Sequence, residues 1–138
     1  MLRIAIFINS LFLMIVCCCV PVSHADSDIE RNIKLPPGFS ISTYADNVPN
    51  ARSMALSPNN ILFVGTRKLG KVFAVIDKNG DFIADEVITI AKGLNMPNGV
   101  AFQDGDLYVA EVHRIIKFTE IEKRLHSPGK PEHPENPL

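Results

Sequence analysis

Six side chains in this sequence carry charge, acid–base or hydrogen-bonding chemistry that a fold could bring to one place: Arg52, Arg67, Asn98, Glu111, His113 and Arg114. Guanidinium groups and an amide hold and orient polar small molecules, a carboxylate shares a proton or a cation, and an imidazole titrates near neutrality. Each also has a plainer reading. Arg67 beside Lys68 reads as a solvated turn, Asn98 before Gly99 as a turn pair, Glu111 near Arg114 as a local ion pair, and His113 as a loop-surface residue. A second cluster, Asp77, Asn79, Asp81 and Asp85, spaces its oxygens as the early ligands of a calcium loop are spaced. Phe82 stands where such a loop needs glycine, and Ile88 where it needs a bidentate glutamate, so a hairpin turn is the stronger expectation there.

The elements that must position these residues are short strands in a repeat. Met54-Ala55-Leu56 matches Val100-Ala101-Phe102, and Leu62-Phe63-Val64 matches Leu107-Tyr108-Val109, each at a spacing of about 45 residues. A polar turn separates the two strands in both copies, Ser57-Pro58-Asn59-Asn60 and Gln103-Asp104-Gly105-Asp106. This period, built from short strands, is that of a β-propeller blade. The first blade is predicted as strands near Ser53–Leu56, Ile61–Thr66, Lys71–Ile76 and Glu86–Ile90, rich in the β-branched and aromatic residues that sheets favour. Phe39–Tyr44 alternates apolar and polar residues and is predicted as a further strand, of the kind that completes a last blade. Phe118–Leu125 carries a weak helical period.

Because blades run up and down, the starts of first strands and the ends of second strands share one face. That face collects Asn50, Arg52, Met96 and Asn98, together with Thr66, Arg67 and Lys68 and with Glu111, His113 and Arg114. Polar groups converging at a channel mouth make a binding-site expectation for a small molecule.

Met1-Leu2-Arg3, an apolar run from Ile4 to Val20 and Ser23-His24-Ala25 have the order of a secretory signal peptide, with an uncleaved anchor as the alternative. The expected location is therefore exported, periplasmic or secreted, with no stable membrane span after cleavage. Cys17, Cys18 and Cys19 all lie in this leader, so the mature chain has no cysteine for a disulfide or a metal site. The formal net charge of -1 gives no electrostatic case for nucleic acid. From Ser127 the sequence places Pro128, Pro131, Pro134 and Pro137 at intervals of three, the polyproline II period, and a disordered tail is expected.

The stretch from Leu35 to Lys130 resembles the glucose/sorbosone dehydrogenase-like family, and L-sorbosone dehydrogenase-type sequences in particular. The resemblance rests on Leu35-Pro36-Pro37-Gly38-Phe39, Phe63-Val64-Gly65-Thr66-Arg67 and Gly70-Lys71-Val72. It continues through Asp77-Lys78-Asn79-Gly80-Asp81, Asn95-Met96-Pro97-Asn98-Gly99-Val100-Ala101-Phe102 and Leu107-Tyr108-Val109-Ala110-Glu111-Val112. It implies a six-bladed propeller that binds pyrroloquinoline quinone with calcium and oxidises an aldose or related sugar. In that family a histidine in a His-Gly-Trp segment acts as general base. This sequence contains no tryptophan and no such segment, so no catalytic residue is carried over. Pro97-Asn98-Gly99 with Leu107-Tyr108-Val109-Ala110 also resembles gluconolactonase-like propellers, in which the equivalent asparagine ligates a divalent metal.

The sequence thus predicts an all-β fold, a partial β-propeller of about one and a half four-stranded blades. Its parts are a signal peptide at 1–25, a polar lead at 26–34, the blades at 35–126 and the tail at 127–138. The expected function is that of a truncated, exported sugar dehydrogenase-like protein, inactive alone. The alternatives are a blade module that self-assembles, or relies on blades supplied by a partner, and a lactonase-type fragment.

Overall fold

The computed structural model of the chain describes residues 33–133. The signal-peptide reading of residues 1–25, most of the polar lead and residues 134–138 of the tail lie outside the described residues. Among the described residues, no helix is long and apolar enough to cross a membrane.

The unit that begins at Leu35 is all-β. Its strands are β1 (Ala51–Leu56), β2 (Ile61–Thr66), β3 (Val72–Ile76), β4 (Glu86–Ala91), β5 (Gly99–Gln103), β6 (Asp106–Ala110) and β7 (Ile115–Phe118). They form two antiparallel sheets in simple sequence order, β1-β2-β3-β4 and β5-β6-β7. The first is a complete four-stranded blade and the second supplies three strands of the next, a partial propeller.

Local chemistry explains the reversals. Ser57 Oγ and Ser57 C=O accept the N–H groups of Ile61 at 3.2 Å and Asn60 at 3.0 Å, which pins the β1–β2 turn. Asp104 and Gly105 both take left-handed backbone (φ 52° and 89°), as a two-residue type I′ hairpin requires between β5 and β6.

Side-chain alternation in β2 explains the layering. Ile61 and Phe63 face one side with Val72, Ala74 and Ile90, and Leu107, Val109, Ile116 and Phe118 of the second sheet close over them. Phe63 and Phe102 stack there, ring centroids 5.7 Å apart and 7° from parallel. Full burial of residues such as Phe63 and Phe118 contributes roughly 1.5–3 kcal/mol each. Leu62, Val64, Phe73 and Val75 face the other side, covered by Tyr44, Ala45 and Val48. The sequence repeat persists in the register. The pairs Leu62↔Val75 and Val64↔Phe73 of the first sheet correspond to Leu107↔Phe118 and Val109↔Ile116 of the second.

Three expectations are corrected. Phe39–Tyr44 forms no strand: Phe39 is 72% exposed, and at the segment's end the Tyr44 carbonyl accepts the Ala84 N–H at 2.8 Å. Alternation alone does not make a strand: a ladder partner is needed, and none of the seven strands pairs with this segment. Phe118–Leu125 contains only a single 3-10 turn, Ile121–Lys123, which packs Ile121 into the core. Finally, the tail from Ser127 is not featureless up to His133. Glu132 pairs antiparallel with Lys117 on the free edge of β7, with both N–H···O bonds at 2.8 Å.

Candidate functional site

The antiparallel register places the starts of β1 and β3 and the ends of β2 and β4 at one end of the first sheet, through the pairs Ala51↔Thr66 and Val72↔Ala91. Arg52 and Arg67 each follow one member of the Ala51↔Thr66 pair. The β1–β2 ladder slips between Ala51 and Met54, so Arg52 lies in a bulge, a device that re-aims a side chain. Arg67 opens the β2–β3 loop. That loop is buttoned by fully buried Thr66, whose Oγ1 donates to the Lys71 carbonyl at 2.7 Å and accepts the Lys71 N–H at 2.9 Å.

The second blade comes close because glycine stands at position 65. A Cβ on Gly65 would lie 2.5 Å from the Pro97 carbonyl oxygen and 2.9 Å from that of Asn98. The backbone before β5 therefore runs against β2, with Pro97 buried beside it and Asn98 exposed.

A cleft of about 440 Å³ results at this end, lined by Arg52, Arg67, Met96, Asn98 and Glu111, with Val112 at its side. Arg52 and Arg67 form no ion pair among the described residues. Glu111 is different. Its side chain is 1% exposed, and both oxygens are taken: one accepts the Asn95 N–H at 2.5 Å, the other the Arg114 Nε–H at 2.5 Å. Burial pushes this carboxyl up, but the Asn95 and Arg114 hydrogen bonds and the charges of Arg114 and His113 outweigh it and hold it below the ordinary glutamate range. Glu111 is a charged strut tying the β6–β7 loop to the inter-blade link. Val112 N–H adds a bond to the Asn95 carbonyl at 3.2 Å.

Of the six residues singled out in the sequence, Arg52, Arg67, Asn98 and Glu111 line this one cleft. Arg114 lies beside it as the partner of Glu111, while His113 is exposed on the same loop and is not among the lining residues. Sequence reasoning missed Gly65 and Asn95. Glycine inside an otherwise β-branched strand is a signal of close backbone approach. The Asn95 contribution is a main-chain N–H, which residue type does not announce.

The acidic cluster sits at the opposite end of the first sheet, beyond the Ile76↔Glu86 pair. Asp77 accepts the N–H groups of Gly80 at 2.7 Å, Phe82 at 2.9 Å and Asn79 at 3.2 Å. Asn79 Oδ1 accepts Asp81 N–H, Asp81 Oδ1 accepts Ile83 N–H, and Asp85 accepts Lys78 N–H. Desolvation opposes ionisation of Asp77, yet these backbone donors hold its carboxyl below the ordinary range. The segment folds as a hairpin turn braced by its own side chains. Among the described residues, no three acidic, histidine or cysteine side chains gather as a metal site.

No family model matches the chain. A protein of Borreliella burgdorferi, described as uncharacterized, is 26% identical over 124 residues, which cover 87% of this chain and 31% of that protein. Among solved structures, the chain is similar to the PQQ-bound form of an aldose sugar dehydrogenase from Streptomyces coelicolor. That match has a TM-score of 0.49 and 18% identity, and covers 67% of this chain and 32% of the other. The chain thus spans about a third of the length of each protein it matches.

Proposed function

We propose that this chain supplies adjacent blades of an exported propeller of the sugar dehydrogenase type, and that its part in that assembly is to form one wall of a small-molecule mouth. The observation that supports this reading is the convergence of two blades' loops on a single cleft lined by Arg52, Arg67 and Asn98. Two guanidiniums and an amide orient a hydroxylated ligand through directional donors.

The cofactors of such an enzyme do not fit the residues present. A planar quinone needs flat faces to stack on, and no aromatic side chain lines the cleft. Calcium needs several free oxygens, and the one carboxylate here has both of its oxygens taken. The same shortage of carboxylates tells against the lactonase reading. No lining residue is free to act as a general base. In this reading the quinone, the calcium and the base all belong to residues outside the described part, and this chain alone has no turnover.

The test is to titrate the purified chain with glucose by two-dimensional NMR, and in parallel to assay dye reduction with added pyrroloquinoline quinone. Shifts at Asn98 and Gly99 without dye reduction are expected. Metal-dependent hydrolysis of a lactone, or no perturbation at the cleft by any sugar, would sink the reading.

A further inference from the structure

The charge of the cleft goes further than its shape. We propose that it selects a sugar-type ligand that carries an oxyanion, a sugar acid rather than a neutral aldose. This rests on the small-molecule reading above and names the substrate class of the same site.

The chain as a whole is slightly acidic, with a formal net charge of -1, yet two cations without acidic partners among the described residues line one concavity. The one acid in the wall does not neutralise them. Both Glu111 oxygens are engaged, by the Asn95 N–H and the Arg114 guanidinium, so its charge is balanced by Arg114. The cleft therefore retains the charge of Arg52 and Arg67. Their placement is built into the backbone: Arg52 by the bulge in β1, Arg67 by the Thr66–Lys71 button, and the facing wall by the close approach at Gly65. Guanidinium is the group that best matches the paired oxygens of a carboxylate or phosphate. Asn98 offers an amide to the hydroxylated body of the same ligand, and a volume of about 440 Å³ admits a hexose-sized molecule.

The experiment titrates the purified chain with glucuronate, glucose and inorganic phosphate, read by NMR shifts at Asn98 and Gly99 and by calorimetry. Glucuronate is expected to bind about tenfold more tightly than glucose and to weaken as salt rises. Arg52→Gln and Arg67→Gln should each cost about tenfold for glucuronate and clearly less for glucose, so that the ratio between the two ligands narrows, with Arg67→Lys retaining part of the affinity. Both arginines are exposed, so the variants should melt with the parent, which separates lost binding from lost fold. Equal binding of glucose and glucuronate overturns the charge selection while leaving the sugar-mouth reading intact. Phosphate binding as tightly as glucuronate also overturns it, because the site would then read charge without a sugar. Glucose binding at the cleft with no response to glucuronate refutes this proposal alone. Silence towards all three probes refutes it together with the function on which it rests.

Discussion

The two ends of the first blade are both polar, and they use their polarity in opposite ways. At the Asp77 end, carboxylate and amide oxygens are turned back onto the N–H groups of their own loop. At the Arg52 end, one carboxylate is consumed as a strut and two cations are left facing a cleft. Spending polar groups on the local backbone makes a turn; leaving them unspent on a rigid wall makes a binding surface. Residue types offer ligand chemistry at both ends, and the geometry leaves it unspent only at the Arg52 end.

Substitutions at four positions break or sharpen that contrast. The largest effect is expected at the wall of the cleft, from Gly65→Val. Side-chain atoms there run into the Pro97 and Asn98 carbonyls, and overpacking of this kind costs about 1–3 kcal/mol or more. Denaturant melts should show the loss, with NMR shifts spreading to Pro97–Gly99.

Next is Glu111→Ala, which strands the Asn95 N–H and the Arg114 guanidinium. Loss of a buried charge-assisted partner costs about 1–3 kcal/mol, measurable in the same melts. Glu111 also fixes a pH response. Its folded-state carboxyl is held below the ordinary range, so its contribution is present above that range and is lost as pH falls through the lowered value. Glu111→Gln should flatten the acid limb of the melting-temperature profile; an unchanged limb would remove Glu111 from this role.

At the far end, Asp77→Ala takes the shared acceptor from three backbone donors and should lower the melting temperature by less. Ligand-induced shifts at Asn98 should be untouched, since the two ends lie beyond opposite sheet ends. If both responses moved together, the ends would not be independent. The smallest change runs the other way. Phe82 sits at φ 65° and is 75% exposed, so Phe82→Gly relieves left-handed strain at little packing cost and should stabilise by about 1 kcal/mol.

The strands of the first blade were legible because β2 and β3 are dominated by apolar and β-branched residues between unmistakable turns, and because a second copy followed about 45 residues later. The shared location of Arg52, Arg67, Asn98 and Glu111 was also legible, since alternating strand direction decides which loops meet. The fate of Phe39–Tyr44 was not, because alternation records a chain's capacity to pair and not whether an edge is there to receive it. Nor was the commitment of Glu111. Whether a carboxylate is a free ligand or a strut depends on a main-chain N–H sixteen positions away, and residue type carries no trace of that bond.

The Lys117–Glu132 bridge bears on how the molecule avoids its own kind. In an antiparallel pair successive N–H groups point to opposite sides, so the Glu132 N–H is spent on β7 while that of residue 131 would point outward. Residue 131 is proline and has no N–H to offer. At this one position of the second sheet's edge the ladder is occupied, and on the Pro131 side the covering segment offers the next strand no N–H. Proline on an edge is one of the devices that oppose edge-to-edge growth of sheets.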